Sequence, residues 1–152
     1  MKFTNSLIKG KLLKRYKRFF ADIKVNNKII TAHCPNTGSM QGLLDQGNEV
    51  LLTEHNDPKR KLKFTLEIIK AKKRFVGVNT HRANKIVNHG LENKLISEFK
   101  TIKNIKPEFK FSDDTRFDFL CDNYLIEVKN VTLFRENDIA EFPDAVTSRG
   151  TK

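Results

Sequence analysis

Polar and apolar positions divide the chain into two differently patterned halves. In the first half, short apolar runs are separated by turn-forming residues. "FADIKV" (20–25), "KIITAHC" (28–34), "NEVLLTEH" (48–55), "KFTLEII" (63–69) and "FVGVNT" (75–80) each read as a strand bounded by Gly, Asp, Asn or Pro. Asn26 and Asn27 sit between the first two and can adopt the positive φ angles of a two-residue hairpin turn. About five such strands predict a small barrel or sandwich. One segment conflicts with this: in "LIKGKLLKRYKRFF" (7–20), Ile8, Leu12, Tyr16 and Phe19 recur near helical spacing.

From about Asn79 the period changes. "NTHRANKIVNHG" (79–90) offers Thr80 as an N-cap, Ala83, Ile86 and Val87 as one helical face, and Gly90 as a stop. "LENKLISEFK" (91–100) continues the helical period through Leu91, Leu95 and Phe99. Three strand candidates follow: "IKPEFKF" (105–111), "RFDFLC" (116–121) and "YLIEVKNV" (124–131), with Pro107 marking the first as an edge. The boundary between the halves is expected near residues 78–82.

The last two strands pose a chemical question. With Asp122 and Asn123 as their turn, Cys121 faces Tyr124, Leu120 faces Leu125, Phe119 faces Ile126, and Asp118 falls opposite Glu127. Alternation then puts Phe117, Phe119, Cys121, Tyr124, Ile126 and Val128 on one face, and Arg116, Asp118, Leu120, Leu125, Glu127 and Lys129 on the other. Opposed carboxylates destabilise a sheet unless they share a proton, meet a strong cation or bind a metal. Mg²⁺ or Mn²⁺ would satisfy both, and such a centre suits attack of water on a phosphodiester, with Lys129 stabilising the developing charge. The plainer alternative is a solvated charge patch in which Asp118 pairs with Arg116.

Charge bears on the partner. The 152 residues hold 29 Lys and Arg against 18 Asp and Glu, a net +11 spread along the chain, which favours nucleic acid. Two cysteines, Cys34 and Cys121, are too few for a disulfide framework. No signal-peptide core or membrane-length apolar run is present, so a cytoplasmic setting without membrane association is expected, and the sequon at Asn130 carries no weight. His33 and Cys34 read as turn or core, Cys121 as core, His55, His81 and His89 as surface, and Glu92 as a solvated helix residue or an outer acid of the site.

Seven blocks in order, "RYKRFFAD", "AHCPNTGSM", "PKRKL", "VGVNT", "RFDFL", "IEVKNVTLF" and "FPDAVTSRG", resemble the bacterial sugar fermentation stimulation protein A family over nearly the whole chain. The resemblance implies an α+β protein: an OB-like β-barrel over residues 1–80, then a PD-(D/E)XK nuclease-like α/β domain over 81–152. It also implies DNA binding with little sequence preference and a role in regulating sugar metabolism. Asp118, Glu127 and Lys129 match that superfamily's metal-dependent triad, Asp118 and Glu127 holding the metal.

An OB barrel would make "GKLLKRYKRFFADIKV" (10–25) one long strand, with Lys14, Arg15, Lys17 and Arg18 on or beside a DNA-binding surface. Tyr16, Phe19 and Phe20 then read first as barrel core and second as base-stacking platforms. Lys59, Arg60 and Lys61 form a second basic patch after the Asp57–Pro58 turn, and Arg116 would hold phosphate or brace Asp118. Family members run on beyond "SRGTK", so the second domain is expected to lack its last helix and strand. "RGTK" also replaces the family's "RGQKHL". The competing functional classes are a non-catalytic, DNA-binding regulatory module and an inactive remnant.

Overall fold

The computed structural model describes residues 2–4, 6–134 and 140–141. By contact the described residues divide into two units, Lys2–Thr80 together with those from Asn130 onward, and His81–Lys129. The last block of the resemblance, "FPDAVTSRG", lies outside the described residues.

The first unit contains β1 (Ile8–Tyr16), β2 (Phe20–Val25), β3 (Lys28–His33), β4 (Glu49–Glu54), β5 (Phe64–Ala71) and β6 (Arg74–Gly77). Its sheet runs β3-β2-β1-β4-β5-β6, and a parallel pairing of β3 with β5, Ala32 to Phe64 and His33 to Thr65, closes it. The closed circuit β1-β2-β3-β5-β4 is that of an OB-like five-stranded barrel, with β6 appended to β5. Inside it Leu12, Ile23, Val50, Leu52, Leu66 and Ile69 are wholly buried, each contributing about 1.5–3 kcal/mol by leaving water.

The conflicting segment resolves as strand. Residues 8, 10 and 12 face inward, and a bulge between Leu12 and Lys14 resets the phase. Its inner position 10 is glycine, because a Cβ there would lie 2.5 Å from Ile23 Cγ2 and 3.1 Å from the Lys24 carbonyl. With the middle inward residue invisible to hydropathy, Ile8 and Leu12 imitate a helical repeat. The bend also lets β1 pair with β4 through Ile8–Lys11 and with β2 through its later residues. The single long strand over 10–25 is likewise corrected: Tyr16 pairs with Phe20 across a turn in which Lys17 and Arg18 have positive φ. The Asn26–Asn27 turn is present, with Val25 paired to Lys28 and Asn26 at φ 51°.

In the second unit α1 (His81–Glu92) precedes β7 (Ile105–Lys110), β8 (Arg116–Cys121) and β9 (Tyr124–Ile126), an antiparallel sheet in the order β7-β8-β9. Gly90 does not stop the helix. Its missing side chain admits Ile96, whose Cγ1 and Cδ1 would lie 3.2 Å from a Cβ. The stop comes at Lys94 in the left-handed conformation, where Leu95 N–H donates to the Gly90 carbonyl (2.8 Å) and Lys94 N–H to Leu91 (3.1 Å). That is a Schellman ending. The helical period expected through Leu95 and Phe99 therefore breaks, leaving one 3₁₀ turn at Ser97–Phe99. Leu91, Ile102, Phe119 and Cys121 form this unit's core. Leu133–Phe134 and Ala140–Glu141 pair as two further short strands, β10 and β11. Among the described residues no helix is long and apolar enough to cross a membrane.

Candidate functional site

The β8–β9 hairpin has the register its sequence dictates. Cys121 pairs with Tyr124, Leu120 with Leu125 and Phe119 with Ile126, around Asp122 at φ 47°. Asp122 locks the turn by accepting from Lys103 N–H and Asn104 N–H, each at 3.0 Å. These backbone donors hold its carboxyl below the usual aspartate range.

Regular pairing ends one residue short of Asp118 and Glu127. The half-buried Asp118 carboxylate accepts from Val128 N–H at 2.7 Å through Oδ2 and from the Asn84 side-chain amide at 2.6 Å through Oδ1. Glu127 instead meets Lys129, Nζ to Oε1 2.8 Å, both side chains about half exposed. The two carboxylates thus have separate partners, one set neutral and one cationic. Arg116 lies 3.7 Å from Glu108, and that pairing replaces the expected brace on Asp118.

Two contributors escaped the sequence reading. Asn84 belongs to α1 and reaches Asp118 across 34 residues, a contact no local pattern announces. Glu108 occupies the β7 position facing Asp118, since the flanking pairs are Pro107 to Phe119 and Phe109 to Phe117. Only its register could have revealed it. Glu108 has φ 51°, an unusual conformation for a side-chain-bearing residue within a strand. Residues Asn84, Asn88 and Glu92, four apart on one helix face, line a cleft of about 450 Å³ with Glu108, Asp118 and Phe119. Glu92 therefore opens onto the same cleft as Asp118. Among the described residues no three His, Cys, Asp or Glu side chains are placed to hold an ion together.

On the barrel, Lys17 and Arg18 are exposed at the β1–β2 turn. Arg15 is tied down: Nε donates to the Arg18 carbonyl (3.0 Å) and NH2 to the Asn36 carbonyl (2.7 Å). Lys14 lies 3.5 Å from Asp22 and 5.3 Å from the Tyr16 ring centre. The expectation that Tyr16 and Phe19 are core is corrected, since they are 36% and 44% exposed. With Phe20 only half-buried, the first turn carries its aromatics on the outside. Tyr16 stacks on Phe20 and Phe19 on His33. Lys59 and Lys61 are exposed in the β4–β5 loop, while Arg60 donates to Thr65 Oγ1 at 3.1 Å.

His55 is not a simple surface residue. Its Nε2 lies 3.0 Å from Thr65 Oγ1 and 3.3 Å from Thr53 Oγ1. Thr53 in turn donates to the buried Glu67 carboxylate at 2.8 Å. Cys34 and Cys121 are both buried free thiols, and burial raises the pKa of each.

Fold and site together define an OB-barrel chain carrying a second α+β unit whose hairpin end presents Asp, Glu and Lys. Comparisons give the family. Residues 13–78 match the family model described as the SfsA N-terminal OB domain, and residues 81–152 that of the sugar fermentation stimulation protein RE domain. The sugar fermentation stimulation protein homolog of Pelagibacter ubique is 64% identical over all of this chain and 67% of its own length. That of Alteromonas mediterranea is 47% identical over all of this chain and 68% of its length. The structure of Pyrococcus furiosus SfsA in complex with Ca²⁺ superposes with a TM-score of 0.81 at 22% identity, covering 99% of this chain and 64% of that one. The chain belongs to the sugar fermentation stimulation protein family, and spans about two thirds of the length of these relatives.

Proposed function

We propose that this chain binds DNA with little sequence preference and that the β8–β9 end is a divalent-cation, nuclease-type centre. One observation carries the second part. Asp118, half-buried, has both carboxylate oxygens fixed by neutral N–H donors, while Glu108 on β7 and Glu127 just beyond β9 are paired with Arg116 and Lys129. Of the three, Asp118 alone is met only by neutral donors among the described residues, and a half-buried carboxylate so placed gains most from an incoming cation.

The donor set fits a hard cation. Asp118 and Glu127 would hold Mg²⁺ or Mn²⁺, since carboxylates are the ligands such ions take, and each Asp118 oxygen retains lone-pair capacity beyond its one hydrogen bond. The Ca²⁺ complex of the Pyrococcus furiosus protein supports a divalent ion of this type. When bound, the cation supplies charge stabilisation and acidification of a water. The chain supplies the rest. Asn84 and Val128 N–H orient Asp118. Lys129, released from Glu127, donates Nζ–H to a non-bridging phosphate oxygen or to the attacking water. Arg116, on the same strand as Asp118, offers a further phosphate contact.

DNA binding rests on the +11 charge and on exposed Lys17, Arg18, Lys59 and Lys61 beside exposed Phe19 and Tyr16. The relatives' name, sugar fermentation stimulation protein homolog, supports the proposed link to sugar metabolism. A second reading, a DNA-binding module without catalysis, is favoured by the Lys129–Glu127 contact, which occupies both groups. Incubating supercoiled plasmid with and without Mg²⁺ or Mn²⁺ separates the two. Metal-dependent nicking that Lys129→Ala abolishes supports the enzyme. A metal-independent gel shift without nicking supports the module.

A further inference from the structure

The cleft beside Asp118 has two unlike walls and a polarity that the metal reading leaves unused. Its lining belongs to His81–Lys129 throughout. One wall is α1, which presents Lys85 and His89 beside the row Asn84, Asn88 and Glu92. The other is apolar. Ile105 and Pro107 alternate onto one face of β7, and Pro107 pairs in register with Phe119, which at 2% exposed forms the floor. The helix runs alongside β8 in the same sense: Asn84 near its start bonds Asp118, and Leu91 near its end packs with Phe119 and Cys121. Lys85 therefore stands at the Asp118 end and Glu92 at the other, about 10 Å away along the helix axis. Asn88 lies between them, one turn beyond Asn84. Its half-buried side chain has no hydrogen-bond partner among the described residues.

This arrangement suits a ligand whose negative charge sits at one end only. Lys85 attracts an anion at the Asp118 end, where Glu108 is already paired with Arg116 at 3.7 Å. Glu92 repels one at the far end. Between them an amide that both donates and accepts faces an apolar wall, a combination that a flat heterocycle with a polar edge fills. A nucleotide has this form, and the step of about one turn along α1 matches the separation of phosphate and base across a sugar. We propose that the α1–β7 cleft receives one unpaired nucleotide of a nucleic-acid strand, with phosphate on Lys85 and base between Asn88 and the wall of Ile105, Pro107 and Phe119. This occupancy rests on the nuclease-type reading of Asp118 and supplies its substrate class: a single strand, or a duplex opened at that point. A base still paired and stacked brings its partner strand with it, whereas a cleft of about 450 Å³ is of the size that one small ligand fills. Because the amide can meet either a donor or an acceptor, Asn88 tolerates any of the four base edges, in keeping with low sequence preference.

The test measures binding by the full chain in EDTA, so neither cleavage nor metal enters. A short end-labelled strand containing 2-aminopurine is compared with the same strand annealed to its complement. Anisotropy of the label gives affinity, and 2-aminopurine emission reports the surroundings of the base. Lys85→Ala/Asn88→Ala is the test variant and Lys17→Ala/Arg18→Ala the control for general phosphate attraction, with circular dichroism checking both folds. Lys85→Ala alone, at an exposed position, gives the same comparison should the Asn88 change disturb the helix. The expected result is about tenfold weaker binding of the single strand by the test variant, with most of its emission change lost. Duplex affinity shifts less than about twofold. The control weakens both forms and keeps the emission change. Unchanged single-strand affinity in the test variant, or an equal loss for duplex, overturns the proposal. The plasmid assay is judged separately: absence of metal-dependent nicking with this strand preference intact ends the catalytic reading alone, and nicking without the preference ends the cleft reading alone.

Discussion

Removing Asp118 tests how the site is held together. If this carboxylate were merely repelled by its acidic neighbours, Asp118→Ala would relieve strain and stabilise the protein. The contacts argue otherwise. Asp118 accepts Val128 N–H at 2.7 Å and the Asn84 amide at 2.6 Å, and a hydrogen bond to a charged group contributes about 1.5–3 kcal/mol. Two such bonds bound the loss at about 3–6 kcal/mol. Water can replace part of each in a half-buried cleft, so the expected loss is about 2–3 kcal/mol. Glu127→Ala removes only a half-exposed pair, at about 0–1 kcal/mol. Urea denaturation followed by far-ultraviolet circular dichroism compares the two, and amide exchange at Val128 reports the local bond. A neutral or stabilising Asp118→Ala, or unchanged Val128 exchange, would refute the assignment of Asp118 as a jointly held anchor.

Other outcomes follow from the same contacts. Arg15→Ala should destabilise the barrel by about 1–2 kcal/mol through its two carbonyl partners. Lys17→Ala/Arg18→Ala should leave the melting temperature unchanged but reduce the salt slope of DNA binding by about two. Gly10→Ala should cost about 1–3 kcal/mol, because the added methyl meets Ile23 and the Lys24 carbonyl; a chemical denaturation midpoint checks it. Asp122 has a folded pKa below its unfolded one, so its contribution is present above the ordinary aspartate range and lost as pH falls through the folded value. The stability difference between wild type and Asp122→Ala should therefore shrink in acid, read by thermal melts across that range. Buried Cys34 and Cys121, with raised pKa values, should resist a thiol reagent at neutral pH until the chain is denatured.

Much of the architecture was legible because it rests on local rules. The Asn26–Asn27 and Asp122–Asn123 turns fixed two hairpin registers, and Pro107 does lie on an edge strand. Misreadings arose where tertiary contact overrode a local signal. Gly10 and the bulge after Leu12 disguised a strand as a helix, and Gly90, read as a stop, serves close packing by Ile96. At the site, the register named Asp118 and Glu127 but could not supply Asn84, whose partner is 34 residues away. Nor could composition show that Arg15 is fastened to Asn36 while its neighbours Lys17 and Arg18 stay exposed. The barrel reading likewise put Tyr16 and Phe19 first in the interior, whereas a tight turn turns them outward.

The buried Glu67 has a practical corollary for dissecting this chain. Its side chain takes Asn79 Nδ2 at 2.9 Å, its carbonyl takes Val78 N–H at 2.9 Å, and the Thr80 hydroxyl donates to Pro35 at 2.6 Å. The final residues before α1 are thus a latch on the barrel and not slack tether. A shortened version ending at Thr80 would keep that latch shut, whereas one trimmed to Val78 would leave the buried Glu67 side chain with one donor fewer.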